Sequence, residues 1–333
     1  MKSFAAVICL VLIEATVCVC RADTFGSGTS LFTIDFTEIA NPGNAADLSG
    51  DPNPAGAVGY TYRIGTYEVS EDMVSKANAL GSLGITADTR ALNKPATSVN
   101  WNEAARFVNW LNTSSGYGVA YKFSKQPGDL GYDVNANLEL WQAGDVGYDT
   151  ANPYRNSGAR YVLPTTDEWY KSAYYDSSLN GGAGGYWNYA TASDSPPAIT
   201  FSGTAAGTAV YGQWPVPVGP ADITLAGGLS PYGTMGQTGN VYEWNESPID
   251  LSTYAPASLR SLRGGNWSLD SVFAAAMSSS SRQSIEPTFV SPGFGFRVAV
   301  VPEPSTYAIS ALATAGLASL MRWRKRRTRE SEV

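Results

Sequence analysis

Glycine and proline interrupt this 333-residue chain 34 and 19 times, so long amphipathic helices cannot dominate its fold. Only 15% of its residues are charged, while nine tryptophans and nineteen tyrosines are available for burial. Such a balance predicts a loop-rich domain with a core built from aromatic side chains. Helix starts are nevertheless marked. Asn100 is followed three residues on by Glu103, as in a capping box, and Trp101, Ala104, Ala105, Val108 and Leu111 share one face to about Asn112. Thr165 and Glu168 repeat the signature before Trp169 and Ala173, and Ser70 caps a run through Met73, Val74, Ala77 and Leu80. Alternating segments at Leu31–Phe36 and Tyr60–Val69 read as strands. The Gly-, Ser- and Pro-rich segments 180–185 and 192–207 read as long loops. No repeat or composition break divides the body, which is assigned as one domain over 60–300, preceded by a strand and loop extension over 23–59.

The chain contains no histidine, and its three cysteines are Cys9, Cys18 and Cys20. Without imidazole or thiolate donors in the body, ordinary zinc, copper, non-haem iron and iron–sulfur sites are excluded, which leaves oxygen-binding ions such as calcium. Between Asp23 and Met321 there are 14 basic and 26 acidic residues, a balance that repels phosphate backbones, so nucleic acid is not expected as a partner.

Both ends read as addresses. Lys2, the apolar run 4–19 and the small-residue pattern ending at Ala22 predict a signal peptide over 1–22. At the other end Pro302-Glu303-Pro304 precedes an apolar stretch, 307–321, and then the basic cluster RWRKRR. Fifteen helical residues span about 22 Å, less than a bilayer core of about 30 Å, so the stretch is a marginal anchor with its basic end on the cytoplasmic side. This tail, 301–333, resembles a PEP-CTERM sorting signal. That resemblance implies transient membrane contact, cleavage by a sorting protease near Pro302, Glu303 and Pro304, and delivery to the outer envelope, cell surface or extracellular matrix. A plain single-pass anchor is the alternative.

Within the body, IGTYEVS (64–70), PATSVNWNEAARFVNWLN (95–112), RYVLPTTDEWYKSAYY (160–175), SPYGTMGQTGNVYEW (230–244) and LRGGNW (262–267), closing with GFGFRVA (293–299), occur in order. In that order they resemble the formylglycine-generating enzyme, or sulfatase-modifying factor, family. The resemblance implies an α+β, irregular, loop-rich C-type-lectin-like fold. Family enzymes oxidise a substrate cysteine through two copper-binding cysteines, whose positions here fall at about Leu269 and Ala274. The serine of the usual GGS is Asn266. An iron-dependent branch of the fold needs histidine ligands, which this chain lacks, so neither copper nor iron is expected. The family's structural calcium loop implies ligands at Gly239, Val241 and Glu243, although its usual Asp or Asn is replaced by Gly236.

Read from the residues themselves, the glycines and tryptophans of these motifs are expected to be structural. Arg160, Arg263 and Arg297 should each need a carboxylate, with Glu168 and Glu243 as candidates. Glu243, Glu246 and Asp250 lie close in sequence, and paired acids can hydrolyse glycosides, but loop solvation or calcium binding is the commoner use of such a group. Candidate ligand contacts are Asn266, Trp267, Arg282, Tyr186 and Trp187, with Tyr189 and Trp214 in the same aromatic-rich loops. The expected function is a non-catalytic binding or structural module that contacts extracellular polysaccharide or an exported protein. The alternative is a formylglycine-type oxidoreductase acting on sulfatase cysteines.

Overall fold

The computed structural model describes residues 21–213 and 218–302. In chain order they form β1 (Arg21–Phe25), β2 (Phe32–Ile39), β3 (Tyr62–Gly65), α1 (Glu71–Gly81), α2 (Trp101–Ser114), β4 (Tyr161–Val162), α3 (Thr166–Tyr174), β5 (Tyr242–Pro248), β6 (Arg260–Arg263), β7 (Gln283–Ile285), β8 (Phe294–Gly295) and β9 (Ala299–Val300), besides shorter pieces. Residues 1–20, 214–217 and 303–333 lie outside the described residues. Most of the signal peptide, Trp214, Glu303, Pro304 and the apolar stretch 307–321 fall there. Among the described residues no helix is long and apolar enough to cross a membrane.

Two sheets organise the chain. The first runs β1-β2-β3-β9-β4, all antiparallel, with Ala299 of β9 opposite both Ile64 of β3 and Val162 of β4. The segment before Tyr60 is therefore no appendage, because it supplies two of these five strands. The pairing has a hydrophobic cause: Phe32, Ile34 and Phe36 alternate inward from β2 and are almost fully buried. The second sheet runs β7-β6-β5-β8, with β5 and β8 parallel.

All three capped helices form where the sequence places them. Ser70, Asn100 and Thr165 accept from the backbone N–H three residues on. The α2 helix runs two residues past the expected end, and its environment differs from a surface amphipathic helix, since Trp101 through Asn112 are all buried. Its polar face is covered by the long segment 117–161, hung on α2 side chains. Arg106 donates to the carbonyls of Lys125, Asp133, Val134 and Ala136 and stacks on the Phe123 ring at 3.9 Å. Asn109 bonds the backbone of Ala120 and Tyr121, and Asn112 that of Arg160 and Tyr161. Polar residues on a helix can thus be loop anchors, which satisfies backbone groups that burial would otherwise leave unpaired.

The main core gathers Phe36, Ile64, Trp101, Phe107, Trp244 and Phe296 between α2 and both sheets. A smaller aromatic cluster, Trp169, Tyr170 and Tyr174, forms along α3. The loop 192–207 contains a short strand, Ala198–Thr200, that pairs in parallel with Thr208–Val210.

Candidate functional site

The GNVYEW segment turns sharply and then becomes β5. Gly239 has φ +84°, and a Cβ there would lie 2.5 Å from the Val210 carbonyl oxygen, so glycine is required. Asn240 follows, fully buried, and its side chain is used at both ends. Its Oδ1 accepts from Ala221 N at 2.8 Å and its Nδ2 donates to Glu68 Oε1 at 2.9 Å. Glu68 itself is buried, and its Oε2 has no partner. Burial, followed by the neighbouring Glu243 charge, pushes the Glu68 carboxyl up to about 7 against the pull of Arg297 and Asn240. The same carboxylate explains Gly236, where any Cβ would collide with Glu68.

Glu243 points into the protein. Arg297 donates to it twice, Nε to Oε2 at 2.5 Å and Nη2 to Oε1 at 2.6 Å, and Trp169 Nε1 donates to Oε2 at 2.7 Å. This is the fork-to-fork pair expected for Arg297. Arg297 therefore engages both oxygens of the carboxylate that the calcium expectation names alongside Gly239 and Val241. Among the described residues no group of three or more acidic side chains is placed to hold a metal.

Glu168 pairs with neither Arg160 nor Arg263. Its partner is Arg155, whose Nη1 and Nη2 each bond one Glu168 oxygen at 3.0 Å while its Nε bonds Glu246 Oε2 at 2.9 Å. Tyr121 also donates to Glu246, at 2.6 Å, and Tyr60 to Glu168, at 2.5 Å. Burial alone would raise Glu168, but the Arg155 charge and hydrogen bonds outweigh it and hold this carboxyl below its ordinary value. At Glu246 burial prevails over Arg155 and the carboxyl lies above its ordinary value. Arg263 takes a different solution. It donates to the Ser281 carbonyl at 3.2 Å and lies over the Tyr170 ring at 4.8 Å. Arg160 lies over the Tyr117 ring at 5.2 Å, with Asp23 as an electrostatic partner. Asp250 is exposed and accepts from the Ser252 and Thr253 backbone, whereas Glu243 and Glu246 are buried and each is engaged by an arginine.

The expected ligand residues divide. Tyr186 and Arg282 both hold the loop 44–56. The Tyr186 hydroxyl bonds the carbonyls of Ala45 and Gly56 and accepts from Asn44, while Arg282 pairs with Asp51 at 3.1 Å. Trp187, half-buried, donates from Nε1 to Asp176 at 3.1 Å. Asn266 caps its own turn by accepting from Ser268 N and Oγ. Trp267 packs with Val210, Ala221 and Val241, and its buried Nε1 has no partner. Leu269 packs against an apolar cluster formed by Ala274, Met277, Tyr189, Ala209 and Tyr211.

Sequence reasoning missed Arg155 and Glu68. Arg155 sits in an irregular segment with no motif, and its role appears only when Glu168 and Glu246, seventy-eight positions apart, converge on it. Glu68 lies in the alternating segment Tyr60–Val69 and in IGTYEVS, but neither pattern gives it a role.

Comparison with known proteins agrees with this architecture. The family model of the sulfatase-modifying factor enzyme 1-like domain matches residues 54–301. No curated protein matches the chain in sequence. Among solved structures, Treponema denticola variable protein 1 is similar, with a TM-score of 0.53 and 20% identity, over 85% of this chain and 99% of that one. CarF is similar with a TM-score of 0.52 and 18% identity, over 81% of this chain and 98% of its own. At these identities the likeness speaks for the fold, which is the irregular, loop-rich α+β fold of C-type-lectin type. With a family match across most of its length and that fold, this chain belongs to the sulfatase-modifying factor enzyme 1-like family.

Proposed function

We propose that the protein is an exported, non-catalytic member of this family that works as a binding or structural module at the cell surface or in the extracellular matrix. The observation that carries the reading is the fate of the positions where family oxidases place their thiols. Counted from Gly264 and Gly265, those positions fall at about Leu269 and Ala274, which pack with Met277, Tyr189, Ala209 and Tyr211 in an apolar cluster. An aliphatic side chain neither binds copper nor exchanges disulfides. Export rests on the amino-terminal apolar run and on the Pro-Glu-Pro tail with its basic end, which would bring the chain to a sorting protease and, transiently, to the membrane. The ligand in this reading is extracellular polysaccharide or another exported protein, met through the partly exposed Trp187 and its neighbours.

Retention on the producing cell's own matrix tests the proposal. The purified chain should be retained and Trp187→Ala should lose retention, whereas equal loss of both chains to the flow-through would refute it. The oxidase reading is tested by incubating the chain with copper and a cysteine-containing sulfatase peptide. Aldehyde product detected by mass spectrometry would overturn the non-catalytic assignment.

A further inference from the structure

A cleft of about 350 Å³ opens between the start of α2, the loop 135–138, the turn 256–259 and the segment 286–288. None of the ligand residues expected from sequence lines it. At its wall Asn102 is 4% exposed, and its Nδ2 donates to the Asn135 carbonyl at 2.7 Å, while its Oδ1 has no partner. That oxygen is enclosed by protein atoms, so it belongs to the wall, and the polar groups a ligand can meet are those of the neighbouring residues. Asn135 Oδ1 accepts from Asn100 Nδ2, so what Asn135 can still offer a ligand is its amide N–H pair. Asn137 can offer both amide functions, and Glu286 is exposed and supplies a carboxylate. Pro287 and Leu259 add apolar surface between these groups.

The chemistry of this lining is selective. No basic side chain faces the cleft, so Glu286 repels anions, and one carboxylate is too little to hold a calcium ion. Acceptors (the Asn137 amide oxygen and Glu286) and amide donors (Asn135, Asn137) stand beside aliphatic surface, which suits a neutral molecule whose polar groups both donate and accept around an apolar ring. We infer that this cleft binds a neutral pyranose, as a free sugar or as one residue of a glycan. Its volume, at the small end of the ~300–1,000 Å³ typical of ligand sites, limits it to a short saccharide. The inference does not depend on the Trp187 surface.

Saturation-transfer NMR of the purified chain with D-glucose, D-galactose, D-mannose and N-acetyl-D-glucosamine, and with D-glucuronate as the anionic control, tests it. At least one neutral sugar should receive saturation and glucuronate should not. Ala257→Trp, at an exposed position on the rim, should abolish the transfer. Asn137→Gly keeps the positive φ of 70° that this turn needs and removes the amide, so affinity should fall about fivefold. Both variants should keep the parent's circular dichroism. Transfer to none of the sugars, undiminished transfer in Ala257→Trp, equal binding of glucuronate, or displacement of the sugar by a short neutral peptide would each overturn the assignment. Trp187→Ala should leave this binding intact, which separates the result from the fate of the surface reading.

Discussion

Replacing Arg155 with leucine removes a single side chain and strands two carboxylates. The guanidinium makes three bonds of 2.9–3.0 Å to Glu168 and Glu246 and a fourth, at 2.8 Å, to the Leu163 carbonyl, all of them buried. Breaking a buried ion pair by removing one partner costs about 3–5 kcal/mol, because the remaining charge is left without compensation. Tyr121, Tyr60, Asn152 and the Thr165 N–H still donate to the two acids, which keeps the expected loss within that range. For a domain of this size each kcal/mol moves Tm by about 2–4 °C, so Arg155→Leu should melt roughly 10 °C lower at neutral pH. The pH dependence carries the sharper test. In the parent, Glu168 is held below its unfolded value, so its stabilisation is present above the unfolded carboxylate pKa and is lost as pH falls through the folded one. Without Arg155 burial raises both carboxyls, and that penalty is relieved as pH falls and they protonate. Both effects narrow the gap between the two proteins on acidification from pH 7 to 4.5. Urea unfolding followed by tryptophan fluorescence at the two pH values measures it. A loss below about 1 kcal/mol at pH 7, or a gap that widens on acidification, would refute the reasoning.

Three further outcomes are expected. Glu68, raised to about 7, binds a proton in the folded state that the unfolded chain has released. Its contribution is therefore complete below about pH 4.5 and lost as pH rises through 7, and Glu68→Gln should remove roughly 3 kcal/mol of that slope in denaturant titrations run across this window. Gly239→Ala forces an L side chain to φ +84° against the Val210 carbonyl and should cost at least about 2 kcal/mol by urea unfolding, while retention of parental stability would mean the turn relaxes freely. Because Arg297 occupies both Glu243 oxygens, excess EDTA should shift Tm by less than about 1 °C relative to millimolar calcium, and a larger drop would show that the loop holds an ion after all.

Local chemistry made much of this protein readable in advance. A capping serine, asparagine or threonine followed by a suitable third residue acts within one turn, so Ser70, Asn100 and Thr165 mark their helices without help from distant sequence. Strand alternation at Phe32–Phe36 and the glycine of GNVYEW are local for the same reason. Charge pairing is not local. Arg297 met its expected partner because both lie in recognisable motifs, but Glu168 chose Arg155, and Arg263 found carbonyls and aromatic rings where a carboxylate was expected. The burial of the polar stripe of α2 has no sign in sequence, because periodicity records which face is apolar and says nothing of what covers the other.

By itself the sequence determined the inventory of donors. With no histidine, and with cysteine confined to positions 9, 18 and 20, the body can offer a ligand oxygen, amide and guanidinium groups but no thiolate or imidazole. Only the tertiary structure decided which of those groups remain available, because availability depends on partners brought together from distant segments. It committed Glu243 to Arg297, Arg282 to the loop 44–56 and Leu269 to an apolar cluster, and it left Asn137 and Glu286 on the lining of an open cleft.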